Sequence, residues 1–275
     1  MTSTNDAPST NTPSTNAAEV KDALRAKYAA LAAGTADPAP PSQAEGTACT
    51  IDVEYDGVAG YVSEADLGLG CGVPTDEAGI ETGEAVLDLG AGTGIDAFVA
   101  RSLVGEHGRV VGVDITPEMV DTARAHARTL GYDNVTFVEG DIEALPLESA
   151  SFDVVISNCT LNLVPDKAAA FDEMHRVLRP GGHFVIADLV TQGTLPSAIR
   201  DAAEQYAGCV AGALERTAYL KILRGAGFDD VQVTREHEVQ IPDDVLADAA
   251  SPSAVEAFRA AGGALMSVTV RGHRA

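Results

Sequence analysis

The clearest structural signal in the sequence is AVLDLGAGTGID, at residues 85–96. Its first half is an apolar run of strand length, and its second half is a glycine loop that opens into an apolar stretch. The pattern predicts a buried strand, a tight turn and a helix whose free N–H groups can bind an anion. Gly92, Gly94 and Ala97 also fit the G-x-G-x-x-A form of a dinucleotide-binding loop, so this stretch alone leaves a nicotinamide enzyme open.

Two acidic residues follow at the ends of the next predicted strands. Asp114 ends the strand that starts at Arg109, roughly 20 residues after the loop, where an acid that binds a ribose diol is expected. Thr116 and Pro117 then predict the start of a helix. Asp141 follows a third strand. A nicotinamide enzyme would not need Asp141. A site that binds a nucleoside with its adenine edge against this loop would need it.

These segments together resemble the class I S-adenosylmethionine-dependent methyltransferases, through LDLGAGTG at 87–94, Asp114, GDI at 140–142 and LRPGG at 178–182. The resemblance implies an α/β, Rossmann-like fold with a mostly parallel seven-stranded sheet, an antiparallel C-terminal strand and an N-terminal helical and loop extension. It also implies S-adenosylmethionine as cofactor, with the glycine loop on its methionine end, Asp114 on the ribose and Asp141 on the adenine. The expected cofactor-binding residues are Asp88, Gly90, Gly92, Gly94, Asp114, Ile115, Met119, Asp141, Ile142 and Asn158.

A fourth predicted strand, residues 152–157, ends at the same edge of the sheet, so Asn158 and Cys159 should face the methyl group. A free cysteine is usually a small buried hydrophobe. Cys71, however, lies in a glycine-lined loop, and Cys209 lies where glycines interrupt a helical pattern, and both are poor places for core packing. No two cysteines form a C-x-x-C pair, so spacing alone does not show that they converge.

The segments GLGCG at 68–72, SNCTLNL at 157–163, PDK at 165–167 and CVAGA at 209–213 resemble the arsenite methyltransferases. The resemblance implies that Cys71, Cys159 and Cys209 hold As(III) as a trigonal tristhiolate beside the methyl donor, in arsenic detoxification. Soft thiolates suit such a soft centre. The arsenic lone pair would attack the sulfonium methyl with no proton to remove, so none of the histidines needs a catalytic role.

The chain departs from many relatives in having only Cys49 in the N-terminal segment. The resemblance implies that a fourth cysteine can form a disulfide with Cys71 during turnover, which makes Cys49 a possible redox partner, with structural burial as the alternative. A thiol reductant, such as thioredoxin or a low-molecular-weight thiol, is therefore an expected partner. The expected substrate is arsenite or its thiol conjugates.

Three other functions stay open at this point. A small-molecule C- or O-methyltransferase of the quinone-biosynthesis type would share Gly140-Asp141 and the segment at 179–182, but it leaves the three cysteines unexplained. A non-catalytic metalloid-binding protein would use the same thiols, and the intact cofactor loop argues against it. Zinc binding by the same trio is the third alternative.

The composition fits a cytoplasmic enzyme with an acidic surface of the halophilic type. Acidic residues number 41 against 18 basic ones, a net charge of −23, and only four of the basic residues are lysines. Such a surface repels nucleic acid and anionic membranes, so neither is an expected partner. With no secretory or membrane-spanning segment predicted, four cysteines in 275 residues indicate a reducing cytoplasm.

The sequence predicts four regions: a disordered tail at 1–18, a helix and cysteine-bearing loop at 19–83, the cofactor-binding core at 84–190, and substrate-binding elements with the last strands at 191–275. Within them, the apolar spacing predicts a helix from Glu19 to Ala33 and a fifth strand from His183 to Asp188. Beyond the core it predicts a helix near Arg216–Arg224 and strands at Val231–Val239 and Leu265–Val270, the last one antiparallel.

Overall fold

The computed structural model describes residues 17–35, 55, 57–193, 196–197, 200, 209–210, 212–239 and 251–275. Its centre is a sheet of seven strands. They are β1 (Ala85–Leu89), β2 (Arg109–Asp114), β3 (Val135–Glu139), β4 (Phe152–Asn158), β5 (Leu178–Gln192), β6 (Phe228–Glu238) and β7 (Ala264–Arg274).

The strand order is β3-β2-β1-β4-β5-β7-β6, with β7 antiparallel to both of its neighbours and the first five strands parallel. β1 is buried at every position because it pairs with a strand on each side and helices cover both faces of the sheet. The winding direction reverses between β1 and β4. Ligands of open α/β sheets bind at such a reversal, at the carboxyl ends of the strands. The fold class expected from the sequence is therefore confirmed.

Seven helices accompany the sheet in the described part of the chain. They are α1 (Ala17–Ala32), α2 (Pro74–Glu77), α3 (Ile95–Val104), α4 (Pro117–Leu130), α5 (Lys167–Val177), α6 (Arg216–Gly225) and α7 (Pro252–Ala260). Two short 3-10 turns lie at Ser63–Ala65 and Leu161–Leu163. Among the described residues, no helix is both long enough and apolar enough to cross a membrane.

The helices bury one hydrophobic cluster on each face of the sheet. On one face, Phe98 of α3 and Val120 of α4 pack with Phe137 of β3. On the other face, Phe171 of α5 and Tyr219 of α6 stack edge to face, with ring centroids 5.6 Å apart. These two layers hold the strand ends rigidly, which matters because the candidate site is built on those ends.

The last strands are longer than the sequence predicts. β5 runs from Leu178 instead of His183, and it continues to Gln192 because β7 pairs with it from His183 to Gln192. β7 itself extends beyond the predicted Leu265–Val270 for the same reason. Helix α7 was not predicted, because only two apolar positions, Val255 and Phe258, mark its inner face.

Candidate active site

A cavity lies where the sheet reverses its winding, at the carboxyl ends of β1, β2 and β4. Nine of the ten residues expected to bind the cofactor line it: Asp88, Gly90, Gly92, Asp114, Ile115, Met119, Asp141, Ile142 and Asn158. The tenth, Gly94, is the N-cap of α3 and turns the chain into that helix. The predicted strand, turn and helix thus form one wall of the cavity.

Gly90 shows why this wall needs a residue without a side chain. Its φ angle is +74°, in the left-handed region that favours glycine. A Cβ at this position would also overlap the side chain of Thr160, which lines the cavity beside the loop. The glycine therefore lets the backbone of β1 approach the segment that carries Cys159.

The two acids expected to bind the nucleoside hold loops in place around the cavity. The Asp114 carboxylate accepts hydrogen bonds from the Gly92 N–H at 3.0 Å and the Thr116 N–H at 2.8 Å, which ties β2 to the glycine loop. The Asp141 carboxylate accepts from the Glu143 N–H at 3.0 Å and from Lys21 Nζ at 2.6 Å. Each carboxylate oxygen can accept a second hydrogen bond, so both acids keep capacity for a ligand.

The cavity is electrostatically suited to a cation. Burial, together with the charges of Asp96 and Asp114, raises the pKa of Asp88 well above its usual value. Burial likewise raises the pKa of Asp96 to about 6. One Asp88 oxygen, Oδ2, has no hydrogen-bond partner among the described residues. A positively charged ligand would relieve this repulsion and pair that oxygen, and S-adenosylmethionine carries both a sulfonium and an ammonium group.

Asn158 lies at the cavity, but its amide is directed towards the Cys71 loop. Its Oδ1 accepts a hydrogen bond from the Cys71 N–H at 2.8 Å, and its Nδ2 donates to the Gly72 carbonyl at 2.7 Å. The same Nδ2 lies 3.0 Å from Asp96 Oδ2 and 3.0 Å from the Tyr55 hydroxyl. The amide is thus engaged by the protein, although the sequence suggested that it would face the methyl group.

The structure brings Cys71, Cys159 and Cys209 together, with their sulfur atoms all within 4.8 Å of one another. Cys71 and Cys159 are joined as a disulfide, with Cα atoms 5.4 Å apart, and the Cys159 sulfur lies 3.2 Å from that of Cys209. Cys159 follows β4 directly and has a φ angle of +55°, unusual for a residue other than glycine. Its N–H donates to the Ala187 carbonyl at 2.8 Å, which fixes this conformation.

The surroundings of the cysteines differ from those expected. Cys71 is fully buried and Cys159 is 6% exposed, in an apolar cluster that includes Leu189, Val210 and Leu265. The expectation that Cys71 sits in a poor place for packing was therefore wrong. The loop that carries Cys71 is covered by residues distant in sequence, and local periodicity cannot indicate such contacts. Cys209 is partly exposed, and Cys49 lies outside the described residues.

Helix α1 contributes cavity residues that the sequence did not identify. Lys21, Leu24 and Tyr28 line the cavity, and Lys21 forms ion pairs with Asp141 and Glu143. Burial, followed by the charges of Cys209 and Asp114, raises the pKa of Tyr28. The apolar spacing of α1 was visible in the sequence, but nothing indicated which surface it covers.

A buried polar cluster lies behind the cysteines and also escaped the sequence. The Asp188 carboxylate accepts from Asn162 Nδ2 at 2.6 Å and from the Tyr219 hydroxyl at 3.1 Å. Burial raises the pKa of Asp188 to about 7, and it lowers the pKa of Lys167, whose Nζ donates to the Asn162 carbonyl at 3.0 Å. The cluster holds the Leu161–Leu163 turn, which follows Cys159.

Comparison with known proteins shows that this chain is similar to methyltransferases. A family model described as a methyltransferase domain matches residues 80–227. An arsenite methyltransferase of Halobacterium salinarum is 38% identical over 234 residues, which are 80% of this chain and 60% of that protein. A solved structure, the arsenic(III) S-adenosylmethionine methyltransferase of Chlamydomonas reinhardtii, is 41% identical with a TM-score of 0.66, and the match covers 78% of this chain and 71% of that one.

A demethylmenaquinone methyltransferase of Lactococcus lactis is also similar, at 34% identity over 147 residues, which are 54% of this chain and 58% of that protein. The chain thus spans about 60% of the length of its Halobacterium relative and a similar share of the Lactococcus one. The Chlamydomonas enzyme is an S-adenosylmethionine methyltransferase, and the charge of the cavity suits this cofactor. From the matched methyltransferase domain and the likeness to the Chlamydomonas enzyme, we conclude that the chain belongs to the arsenite methyltransferase family of the class I S-adenosylmethionine-dependent methyltransferases.

Proposed function

We propose that this protein transfers the methyl group of S-adenosylmethionine to trivalent arsenic, and that it serves arsenic detoxification. The observation that carries the proposal is the cluster of three cysteine sulfurs, within 4.8 Å of one another, at a cavity suited to this cofactor. Cys159 connects the cysteine cluster to the cavity. It lines the cavity, and its sulfur atom lies 3.2 Å from the sulfur atom of Cys209. Three soft thiolates suit a soft trivalent centre such as As(III).

The proposal gives each part of the cavity a role in holding the reactants. Asp88 would pair with the ammonium end of the cofactor, Asp114 would bind the ribose and Asp141 the adenine. When bound, S-adenosylmethionine supplies a sulfonium methyl that the lone pair of thiolate-bound arsenic can attack with no proton to be removed. Because the chemistry needs no general base, the protein's part is to hold the two reactants at attack distance, worth up to about 7–11 kcal/mol in ideal geometry.

The apolar walls support the same proposal. Leu189, Val210 and Leu265 surround the cysteines, and Tyr28 covers the cavity from α1. A site that excludes water favours methyl transfer, because the positive charge of the sulfonium disappears in the reaction. The exclusion of water also prevents water from replacing the thiolate ligands of the bound arsenic.

A thiol reductant is part of the proposal for two reasons. The Cys71–Cys159 disulfide must be reduced before these residues can bind arsenic as thiolates. Adding a methyl group to the lone pair raises arsenic from the trivalent to the pentavalent state, so two electrons from a thiol pair are needed to restore it. We propose Cys49 and Cys71 as that pair, regenerated by thioredoxin or a low-molecular-weight thiol. Both requirements favour a reducing compartment, and we propose the cytoplasm.

The proposal is tested by incubating the reduced protein with S-adenosylmethionine, a thiol and arsenite in high KCl. Methylated arsenic is separated by chromatography and detected by elemental mass spectrometry. We expect product from the wild type and none from Cys71→Ser, Cys159→Ser or Cys209→Ser, each of which must still bind the cofactor. Peptide mapping after turnover then distinguishes a Cys49–Cys71 disulfide from the Cys71–Cys159 pair.

The other candidate functions predict different results in the same experiment. An organic-substrate methyltransferase, as the Lactococcus relative suggests, would bind the cofactor but leave arsenite unchanged. A non-catalytic metalloid-binding protein would bind arsenite without product. A structural zinc site would show one zinc per chain by metal analysis of the reduced protein and would lose it in each serine variant.

A further inference from the structure

One amide group joins the two sides of the cysteine site. Asn158 directly precedes Cys159 in the chain, and its amide holds the backbone on both sides of Cys71. Its Oδ1 accepts from the Cys71 N–H at 2.8 Å and its Nδ2 donates to the Gly72 carbonyl at 2.7 Å. Once the disulfide is reduced, the distance between the Cys71 and Cys159 thiols therefore depends on this amide.

The rest of the Cys71 backbone is also anchored. Ser267 of β7 donates a hydrogen bond from its hydroxyl to the Cys71 carbonyl at 2.6 Å, in a buried position. Cys159 is fixed in turn by the bond from its N–H to the Ala187 carbonyl at 2.8 Å. Both backbones are thus attached to the sheet, and the Asn158 amide adds a direct link between the two cysteine segments.

Asp96 determines which way this amide points. Its Oδ2 accepts from Asn158 Nδ2 at 3.0 Å, and its Oδ1 accepts from the Tyr55 hydroxyl at 2.8 Å. Rotating the amide by half a turn would place Asn158 Oδ1 against the Asp96 carboxylate, acceptor against acceptor, and would break both bonds to the Cys71 loop. Asp96 is 4% exposed and Tyr55 is 5% exposed, so both residues need these hydrogen bonds to satisfy their buried polar atoms.

We propose that Asp96 is a positioning residue for arsenite methylation. Together with Tyr55, it orients the Asn158 amide and so holds the Cys71 and Cys159 thiols at the spacing that arsenic requires. The inference rests on the proposed function and adds a residue to it. Asp96 lies in the first turn of α3, directly after the glycine loop, so the same residue links the cofactor loop to the substrate thiols.

A direct role at the cofactor is the competing explanation, because Asp96 also lines the cavity. The two explanations predict different kinetics. A residue that acts through Cys71 affects the KM for arsenite, whereas a carboxylate that pairs with the cofactor's positive charge affects cofactor binding. A merely structural residue would affect both parameters together, along with the melting temperature.

The first test compares Asp96→Asn with the wild type. We expect the KM for arsenite to rise about tenfold, as for the loss of a buried charged hydrogen bond, and the Kd for S-adenosylmethionine to stay within about twofold. The double variant Asp96→Asn/Asn158→Ala should be no worse for arsenite than Asn158→Ala alone, because Asp96 would act only through that amide. A weakened cofactor Kd with unchanged arsenite KM, or additive effects in the double variant, would overturn the proposal.

Tyr55→Phe is a second variant that removes one hydroxyl and leaves the Asp96 side chain in place. We expect it to raise the arsenite KM by about threefold to tenfold, with the cofactor Kd unchanged. Tyr61→Phe is the matched control, since its ring stacks on Tyr55 at 5.8 Å while its hydroxyl donates to Asp66. Equal arsenite KM values for Tyr55→Phe and Tyr61→Phe would contradict the inference.

Arsenite methylation by the wild type separates a failure of this inference from a failure of the proposed function. If the wild type neither binds nor methylates arsenite, the proposed function is wrong, and the inference falls with it. If the wild type methylates arsenite while Asp96→Asn does so with the same arsenite KM, only the inference is wrong.

Discussion

At the scale of single residues, Gly212 controls how closely the segment that carries Cys209 approaches Cys159. A Cβ on Gly212 would overlap the carbonyl oxygen of Asn162, in the turn that follows Cys159, and would come 3.3 Å from Lys167 Nζ. That carbonyl already accepts a hydrogen bond from Lys167 at 3.0 Å, so it cannot move freely. The segment must shift if any side chain is added here.

We therefore expect Gly212→Ala to weaken arsenite binding about tenfold or more, because overpacking of about 1–3 kcal/mol displaces Cys209 from the other thiols. Cofactor affinity, measured by titration calorimetry, should stay the same. Gly225→Ala is the matched control. Apart from its chain neighbours and the backbone of its own helix, no described atom lies within 4 Å of a Cβ at Gly225. Unchanged arsenite affinity in Gly212→Ala would show that Cys209 does not need this close approach.

Asp188 makes a second residue-scale prediction, on stability. Burial raises its pKa from 3.8 to about 7, so between these values the folded protein keeps a proton that the unfolded chain releases. The free energy of unfolding should then fall as the pH rises from about 4 to about 7, by on the order of 4 kcal/mol. The side chain in Asp188→Asn cannot ionise, so this contribution to the pH dependence of the free energy of unfolding should be absent. Denaturant unfolding at several pH values, in constant KCl, checks it, and parallel curves for both proteins would contradict it.

At the scale of elements, α1 is the cover of the cofactor cavity. Lys21 binds it to the far wall through ion pairs with Asp141 and Glu143, and Arg25 donates to the Ile115 carbonyl at 3.4 Å. The helix also packs on α4. Because Asp141 is the residue proposed to meet the adenine, the position of α1 and the occupancy of the cavity should depend on each other.

Replacing Lys21 with alanine should loosen this cover. We expect Lys21→Ala to weaken S-adenosylmethionine binding about threefold to tenfold, with a faster dissociation rate, because a partly buried ion pair and its hydrogen bonds are lost. Stopped-flow dissociation measures the effect. Lys221→Ala, which removes the same charge from an exposed position on α6, is the control. Equal cofactor dissociation rates in the two variants would show that α1 is not held by this pair.

Much of this element-scale arrangement could be predicted from the sequence. The apolar run before Gly90 predicted β1, and the acids at 114 and 141 predicted the ends of β2 and β3, because buried parallel strands are continuous apolar runs. The length of β5 could not be predicted, since its last residues are strand only through pairing with β7. The orientation of α1 over the cavity depends on an ion pair across 120 residues, which no local pattern encodes.

The candidate site was predictable to the extent that it follows motifs. The residues expected to bind the cofactor come from one edge of the sheet, so their convergence follows from topology. The three cysteines come from two loops and a strand end, and only the resemblance to a family suggested that they meet. Asp96, Tyr55 and Tyr28 were missed, because a buried acid or an aromatic residue has no sequence signature apart from its partners.

At the scale of the whole molecule, the charge dominates. A net charge of −23 in a chain of 275 residues means that folding brings many carboxylates close together. Salt screens this repulsion, since the Debye length falls from about 10 Å at 0.1 M to about 3 Å at 1 M. We expect the melting temperature at neutral pH to rise steadily with KCl over this range.

A comparison at low pH separates charge screening from other effects of salt. Near pH 4.4, the isoelectric point, the net charge is close to zero, so the same KCl series should change the melting temperature much less. Scanning calorimetry at both pH values provides the test. A melting temperature that is independent of KCl at neutral pH would mean that the acidic surface does not limit stability.

The proposed function requires that Cys71, Cys159 and Cys209 together hold the arsenic that is methylated. X-ray absorption spectroscopy at the arsenic edge, on the reduced protein loaded with one equivalent of arsenite, identifies the atoms bound to arsenic. We expect three sulfur neighbours and no oxygen neighbour for the wild type, and two sulfurs with one oxygen for Cys209→Ser. Arsenic bound through oxygen in the wild type, or a spectrum that is unchanged in Cys209→Ser, would contradict it.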